Sequence, residues 1–226
     1  MSVTLLKRWN EIQENIARIA VQEGRDPATI TFIAVTKTID VPRIEILLEA
    51  GHRVFGENRV QEALSKWPML KERYPDIELH LIGSLQSNKV GDAVKIFDMI
   101  HTVDRPSLIK ALRVQIKIPR LLVQVNVGYE PQKGGILPED VDTLLPLWKD
   151  GEGLPIEGLM AIPPAHEIAA PYFVLLHRLA QAHGLHTLSM GMSGDYGQAI
   201  RLGATHVRIG TALFGERDPD VVAQNT

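Results

Sequence analysis

The chain has 226 residues, a formal net charge of −3 and no cysteine. The length suits one full domain or two small ones, and 45% hydrophobic with 23% charged residues is an ordinary globular balance. A charge this small leaves no electrostatic footprint for nucleic acid or an anionic membrane, and the missing cysteines exclude disulfides, thiolate metal sites and a cysteine nucleophile.

The residues Met1 to Arg8 carry no basic segment followed by an apolar run, and no stretch reaches the roughly 20 apolar residues of a membrane span. A soluble cytoplasmic protein is the expectation. From Val3 to Glu23, apolar residues at Leu6, Trp9, Ile12, Ile16, Ile19 and Ala20 predict an amphipathic helix that stops near Gly24. A rhythm of strand and helix then begins. Strands are predicted at 31–35, 53–56, 78–83 and 99–103, followed by helices over 42–50, 60–74, 89–97 and 106–114. The second half repeats the scheme: strands at 121–127, 156–162, 186–190 and 206–210, with helices over 138–148, 169–183, 196–202 and 212–216. The short apolar runs, such as Leu121-Leu122-Val123, are those of strands buried on both faces.

This alternation predicts an α/β fold with a parallel sheet. Repeated eight times, it favours a single (β/α)₈ TIM barrel with an extra N-terminal helix. A doubly wound open sheet is the other arrangement that fits, because alternation alone does not show closure. No linker divides the chain, so one domain is expected over 1–217 and a C-terminal tail over 218–226.

In a barrel, chemistry gathers where strands end. Lys37 follows the first strand directly. At an apolar mouth it would be a nucleophile for an aldehyde; otherwise it snorkels to solvent or pairs with a carboxylate. Small residues close strands seven and eight, in Ser193-Gly194 and Gly210-Thr211. Such turns either bind a phosphate or need glycine for the turn alone. A lysine at strand one with a phosphate site at strands seven and eight describes a phosphorylated aldehyde, such as pyridoxal 5′-phosphate. Arg208, inside an apolar strand, either pairs with a buried carboxylate or faces a ligand. His183 and His186 read as surface residues, Met160, Met190 and Met192 as packing, and Lys66, Lys71 and Arg73 as a solvated helix face.

Several stretches together resemble the pyridoxal phosphate homeostasis protein family, whose fold is similar to the barrel domain of alanine racemase. They include Ala34-Val35-Thr36-Lys37, Phe55-Gly56-Glu57-Asn58, His80-Leu81-Ile82-Gly83-Ser84, Gly158-Leu159-Met160-Ala161-Ile162-Pro163, Leu188-Ser189-Met190-Gly191-Met192-Ser193 and Val207-Arg208-Ile209-Gly210-Thr211. One departure is Leu79, where the family commonly has an aromatic residue. The resemblance implies that Lys37 carries pyridoxal 5′-phosphate as an internal aldimine. It implies phosphate contacts from Ser193, Gly194, Gly210 and Thr211, a contact from Arg208 to the pyridine nitrogen, Asn58 beside the ring, and packing from Ile82 and Met160. It also implies a monomer that binds, buffers or delivers the cofactor, with pyridoxal-phosphate-requiring apoenzymes as partners and without robust turnover. A racemase-like enzyme and a Schiff-base aldolase are the competing readings. Racemisation needs a second base, which alanine racemase takes from a second domain, and no such domain is expected after the eighth strand.

Overall fold

The computed structural model describes residues 2–216; Met1, Arg217 and the tail expected over 218–226 lie outside the described residues. Helix α1 (Ser2–Gln22) buries Leu5, Ile12, Ile16, Ile19 and Ala20 on one face, and Gly24 ends it with φ +66°. That face packs against helices of the barrel's outer ring, α2, α8 and α9.

Eight parallel strands follow: β1 (Thr31–Val35), β2 (Val54–Glu57), β3 (Glu78–Leu81), β4 (Met99–Val103), β5 (Arg120–Gln124), β6 (Ile156–Met160), β7 (Thr187–Met192) and β8 (His206–Ile209). Between and after them run α2 (Val41–Glu49), α3 (Val60–Arg73), α4 (Val90–Ile96), α5 (Pro106–Arg113), α6 (Val141–Pro146), α7 (Ala170–Ala182), α8 (Tyr196–Arg201) and α9 (Thr211–Phe214). The strands close in sequence order, and β8 returns to β1 with Thr31 opposite His206 and Ile33 opposite Arg208. That seam makes the fold a barrel and excludes the open sheet.

Two stretches differ from expectation. The helix predicted over 138–148 is broken into a 3₁₀ turn (Pro138–Asp140), α6 and a π-turn (Leu147–Gly151). Pro146 has no N–H to give the preceding turn, and the backbone widens after it. The fifth strand stops at Gln124 instead of Val127, because Val125 bridges Ile136 from the loop that follows.

Strand residues alternate between the helix layer and the barrel interior. Phe32 and Ala34 join the outer core, while Ile33 and Val35 point inward, and Lys37 continues that inner row. Met99, Leu122 and Met160 fill part of the interior. A second part is polar: His80, His101, His206, Ser189 and Arg208 are all buried there. Outside the barrel, under α1, His52 is buried between Trp9 and Phe55. Trp9 Nε1 donates to its Nδ1 at 3.2 Å, so its Nε2–H donates to the Val54 carbonyl at 2.8 Å and the ring is neutral.

These buried rings make stability depend on pH. Burial pulls His52 from 6.5 to about 4 and His206 to about 3, and holds His101 well below its ordinary value. Below the ordinary value the unfolded chain binds protons that the folded chain refuses. Stability is therefore full above about pH 6.5 and falls as pH drops toward about 4, by up to about 1.4 kcal/mol per pH unit for each such histidine. Urea unfolding across this range measures the slope; a flat profile would mean that the rings are charged or exposed.

Candidate functional site

The C-terminal ends of the strands open into a cleft of about 360 Å³. Val35 and Lys37 reach it from β1, Asn58 from β2, Ile82 from β3 and Ile162 from β6. Met192, Ser193 and Gly194 reach it from β7, and Arg208, Gly210 and Thr211 from β8. The volume is that of a small-molecule site. Two cations and no carboxylate line it, so it favours an anion. A larger groove of about 520 Å³ lies outside the barrel beside Arg25, Arg178 and Arg201. Two of these arginines are engaged locally: Arg25 donates to the Ile200 carbonyl, and Arg201 lies 3.7 Å from Glu23.

Lys37 is held by an unusual turn. Thr38 has φ +64°, a left-handed conformation that β-branched residues avoid. Its N–H donates to Glu62 Oε1 at 2.6 Å and its hydroxyl to the Lys37 carbonyl at 2.6 Å. Beneath the turn, Lys66 Nζ stands 2.7 Å from both Glu57 Oε1 and Glu62 Oε1. The same ammonium donates to the carbonyls of Thr36 at 2.8 Å and Ile39 at 3.3 Å, which flank the turn. Glu57 also accepts from the Thr36 hydroxyl at 2.8 Å and from Trp67 Nε1 at 3.1 Å. Its Oε2 is buried without a partner, and burial pushes the carboxyl above its ordinary range against the pull of Lys66. The strain at Thr38, of order 1–3 kcal/mol, persists because this clamp fixes both sides of it. The expectation that Lys66 lies on a solvated face is thus overturned: its side chain is only 11% exposed. Lys71 is also partly covered, against Asp98 at 2.6 Å, while Arg73 pairs with Glu45 at the surface.

Across the β8–β1 seam from Lys37, Ser193 Oγ accepts the N–H groups of Gly210 and Ala212, each at 3.2 Å. One hydroxyl thereby ties the β7 and β8 turns together and keeps its own proton to donate. Gly83 lets the β3 end pass close to β2, since a Cβ there would lie 2.2 Å from the Asn58 carbonyl oxygen. Arg208 is 4% exposed. Its Nη1 donates to Ser189 Oγ at 2.5 Å and its Nη2 to the Ala161 carbonyl at 3.0 Å. Burial lowers its pKa to about 10, so it remains a cation at neutral pH.

The structure therefore brings together Lys37, Asn58, Ile82, Ser193, Gly194, Arg208, Gly210 and Thr211 in one cleft. Met160 is placed apart from them, fully buried with Met99 and Leu122, under the Ile162 that does line the cleft. Met192, read as packing, is 39% exposed and lines it. Strand alternation misses Met192 because the β7–β8 register shifts between Ser189 and Met192, and Gly191 turns the chain at φ +92°. Of the two histidines read as surface residues, His186 is exposed, whereas His183 is half-buried and bonded to Asp142 at 2.8 Å.

The family model of the alanine racemase N-terminal domain matches residues 9–218, nearly the whole of this closed parallel barrel. An alanine racemase of Clostridium difficile shares the fold with a TM-score of 0.70 at 15% identity, over 96% of this chain and 58% of that one. A pyridoxal phosphate homeostasis protein of Pseudomonas aeruginosa is 44% identical over 223 residues, covering 92% of this chain and 96% of the relative. PipY of Synechococcus elongatus, solved with PLP bound, is 36% identical with a TM-score of 0.74, over 89% of this chain and 100% of that one. The chain belongs to the pyridoxal phosphate homeostasis protein family.

The clamp under Lys37 has a measurable consequence. Lys66→Met leaves the buried Glu57 carboxylate unanswered and frees the Thr36–Ile39 turn, so it should cost about 3–5 kcal/mol in urea unfolding. Lys71→Met, which breaks a half-exposed pair, should cost about 1 kcal/mol or less. Equal costs would show that Lys66 acts no differently from a surface ion pair.

Proposed function

We propose that this chain binds pyridoxal 5′-phosphate in the barrel-mouth cleft, with a covalent bond to Lys37, and serves to store or deliver it rather than to turn over a substrate. The observation that supports this most is the convergence of Lys37, Arg208 and the Ser193–Gly210 turn on one cation-lined cleft. The P. aeruginosa relative and the PLP-bound PipY point the same way.

The residues present fit the cofactor. The backbone N–H groups and hydroxyls of Ser193, Gly194, Gly210 and Thr211 are suited to a phosphate, and the glycines let oxygens approach the backbone. Asn58 would stand beside the ring, and Ile82 and Ile162 would offer it apolar faces. Met160, packed under Ile162, would support the ring only through that residue. When bound, pyridoxal phosphate supplies an aldehyde that condenses with amines and a ring that withdraws electrons. Arg208 carries only donors, so a ring nitrogen facing it accepts a hydrogen bond and stays unprotonated. That weakens the electron sink on which carbanion chemistry depends. Among the described residues lining the cleft, Lys37 is the one group able to serve as a general base. Racemisation needs a second base on the opposite face of the ring, and the remaining lining residues, Ile162 and Met192 among them, offer none. Binding, exchange with free amines and release to apoenzymes remain chemically open to such a site. Among the described residues no helix is long and apolar enough to cross a membrane. A cytoplasmic monomer is consistent with this role.

Three measurements test the reading. The purified protein should show an absorption band that borohydride shifts, and Lys37→Ala should lack it while keeping weaker binding through the phosphate site. A borohydride-sensitive band in Lys37→Ala would move the attachment to another lysine. Ser193→Ala should lose roughly ten- to a hundredfold in affinity for pyridoxal phosphate but little for unphosphorylated pyridoxal. Equal losses for both would place Ser193 away from the phosphate. Incubated with L-alanine, the loaded protein should racemise it no faster than free cofactor does. Turnover above about 1 s⁻¹ on any amino acid would make it an enzyme.

A further inference from the structure

Four of the polar side chains inside the barrel join Glu78 in a continuous chain of hydrogen bonds. Arg208 Nη1 lies 2.5 Å from Ser189 Oγ, and Ser189 Oγ lies 2.8 Å from His101 Nδ1. His101 Nε2 lies 2.9 Å from His80 Nδ1, and His80 Nε2 lies 2.5 Å from Glu78 Oε1. Ser189, His101 and His80 are each 0% exposed, whereas the Glu78 side chain is 35% exposed at the N-terminal mouth. The chain therefore runs the length of the barrel, from the cleft to the opposite end.

Its direction follows from hydrogen-bond chemistry. A guanidinium only donates, so Ser189 accepts from Arg208 and gives its own proton to His101 Nδ1. His101 then carries its proton on Nε2 and donates it to His80 Nδ1. His80 likewise carries its proton on Nε2 and donates it to the Glu78 carboxylate. Every bond points from the cation to the anion, and each dipole in the series favours both end charges. The reverse direction would leave the Ser189 proton without an acceptor. Both rings are neutral in this arrangement, as burial demands. The bond from His80, with Arg120 alongside, holds Glu78 down at about 2.

We propose that Ser189, His101, His80 and Glu78 are positioning residues for Arg208, forming a one-way chain that aims its guanidinium at the cleft and answers its charge from the far mouth of the barrel. Among the described residues no carboxylate forms an ion pair with Arg208, although its burial requires some compensation. Asp195 contributes from the β7 turn without bonding to it. The other groups facing the chain are His206, whose ring lies 5.9 Å from His80 and 6.1 Å from His101, and Arg120, which bonds Glu78. Glu157 lies 4.0 Å from Arg120, and Asp98 acts on His80 at longer range. No group of three or more His, Asp or Glu among the described residues is arranged to hold a metal ion, so the histidines are relays rather than ligands.

The role assigned to the chain rests on the cleft being a pyridoxal phosphate site, and the test separates the two. First, nitrogen NMR of the imidazoles in the unliganded full chain should show His80 and His101 neutral and protonated on Nε2 from about pH 5 to 8. A charged His101, or one protonated on Nδ1, overturns the chain itself. Second, affinity is compared for pyridoxal phosphate and for its ring-carbon isostere, a phosphorylated hydroxybenzaldehyde that lacks the ring nitrogen. Wild type should prefer the nitrogen-containing ligand about tenfold or more. Ser189→Ala should lose most of that preference. Glu78→Gln, at the partly exposed end, should lose part of it, and it keeps the test decisive if Ser189→Ala does not fold. A merely structural role would weaken both ligands equally. An unchanged preference in both variants, or none in wild type, overturns the positioning role while leaving the cofactor reading intact. Failure of wild type to bind pyridoxal phosphate at all overturns the cofactor reading and this role with it.

Discussion

The hydrogen-bonded seam between β8 and β1 is the contact on which the rest of the molecule depends. It removes both edges of the sheet at once, which a parallel sheet must otherwise cover. It also sets Ile33 opposite Arg208, so the row that ends in Lys37 runs beside the row that ends in Gly210. The Lys37 side chain and the turns at Ser193 and Gly210, far apart in sequence, become neighbours only because this seam closes. Every other feature of the cleft is placed relative to it.

Closure creates a second constraint, because the barrel interior must be filled. One part is filled with apolar side chains from β4, β5 and β6, and the other with His80, His101, His206, Ser189 and Arg208. Buried polar groups are tolerated when each finds a partner; here Arg208, Ser189, His101 and His80 find one another in series, while His206 bonds Thr205. The arrangement couples the filling of the barrel to the electrostatics of its mouth. Arg208 is held from below, through the same side chains that pack the interior.

The two buried charges near the cleft are managed differently. Glu57 meets Lys66 directly, with Thr36 and Trp67 adding hydrogen bonds, and this cluster also holds the strained Thr38 turn. A short cluster of direct contacts suits a backbone that must not move, since Lys37 hangs from it. Arg208 has no such direct partner, so its charge is spread along a chain of neutral groups. That leaves its remaining N–H groups available to a ligand instead of committing them to a carboxylate.

The amino-acid sequence determined the local pieces of this protein. The period of its apolar residues placed the eight strands within three residues of their observed ends, and Lys37, Ser193 and Gly210-Thr211 were legible as strand-end residues, which one cleft gathers. The short motifs carried the resemblance to the family. Eight repeated units favoured closure without showing it, since strand–helix alternation is the same in an open sheet, and the β8–β1 pairing distinguishes them. Met192 was not legible because a register shift and a left-handed glycine defeat the two-residue alternation. Lys66 was misread because its helix face looks solvated until the β1 turn is laid over it. The partners of His80, His101, Ser189 and Arg208 lie on four different strands, and no spacing along the chain records which side chains meet across a barrel. The sequence specifies each strand's inner row; the tertiary structure alone decides which rows face one another, because that depends on closure and register.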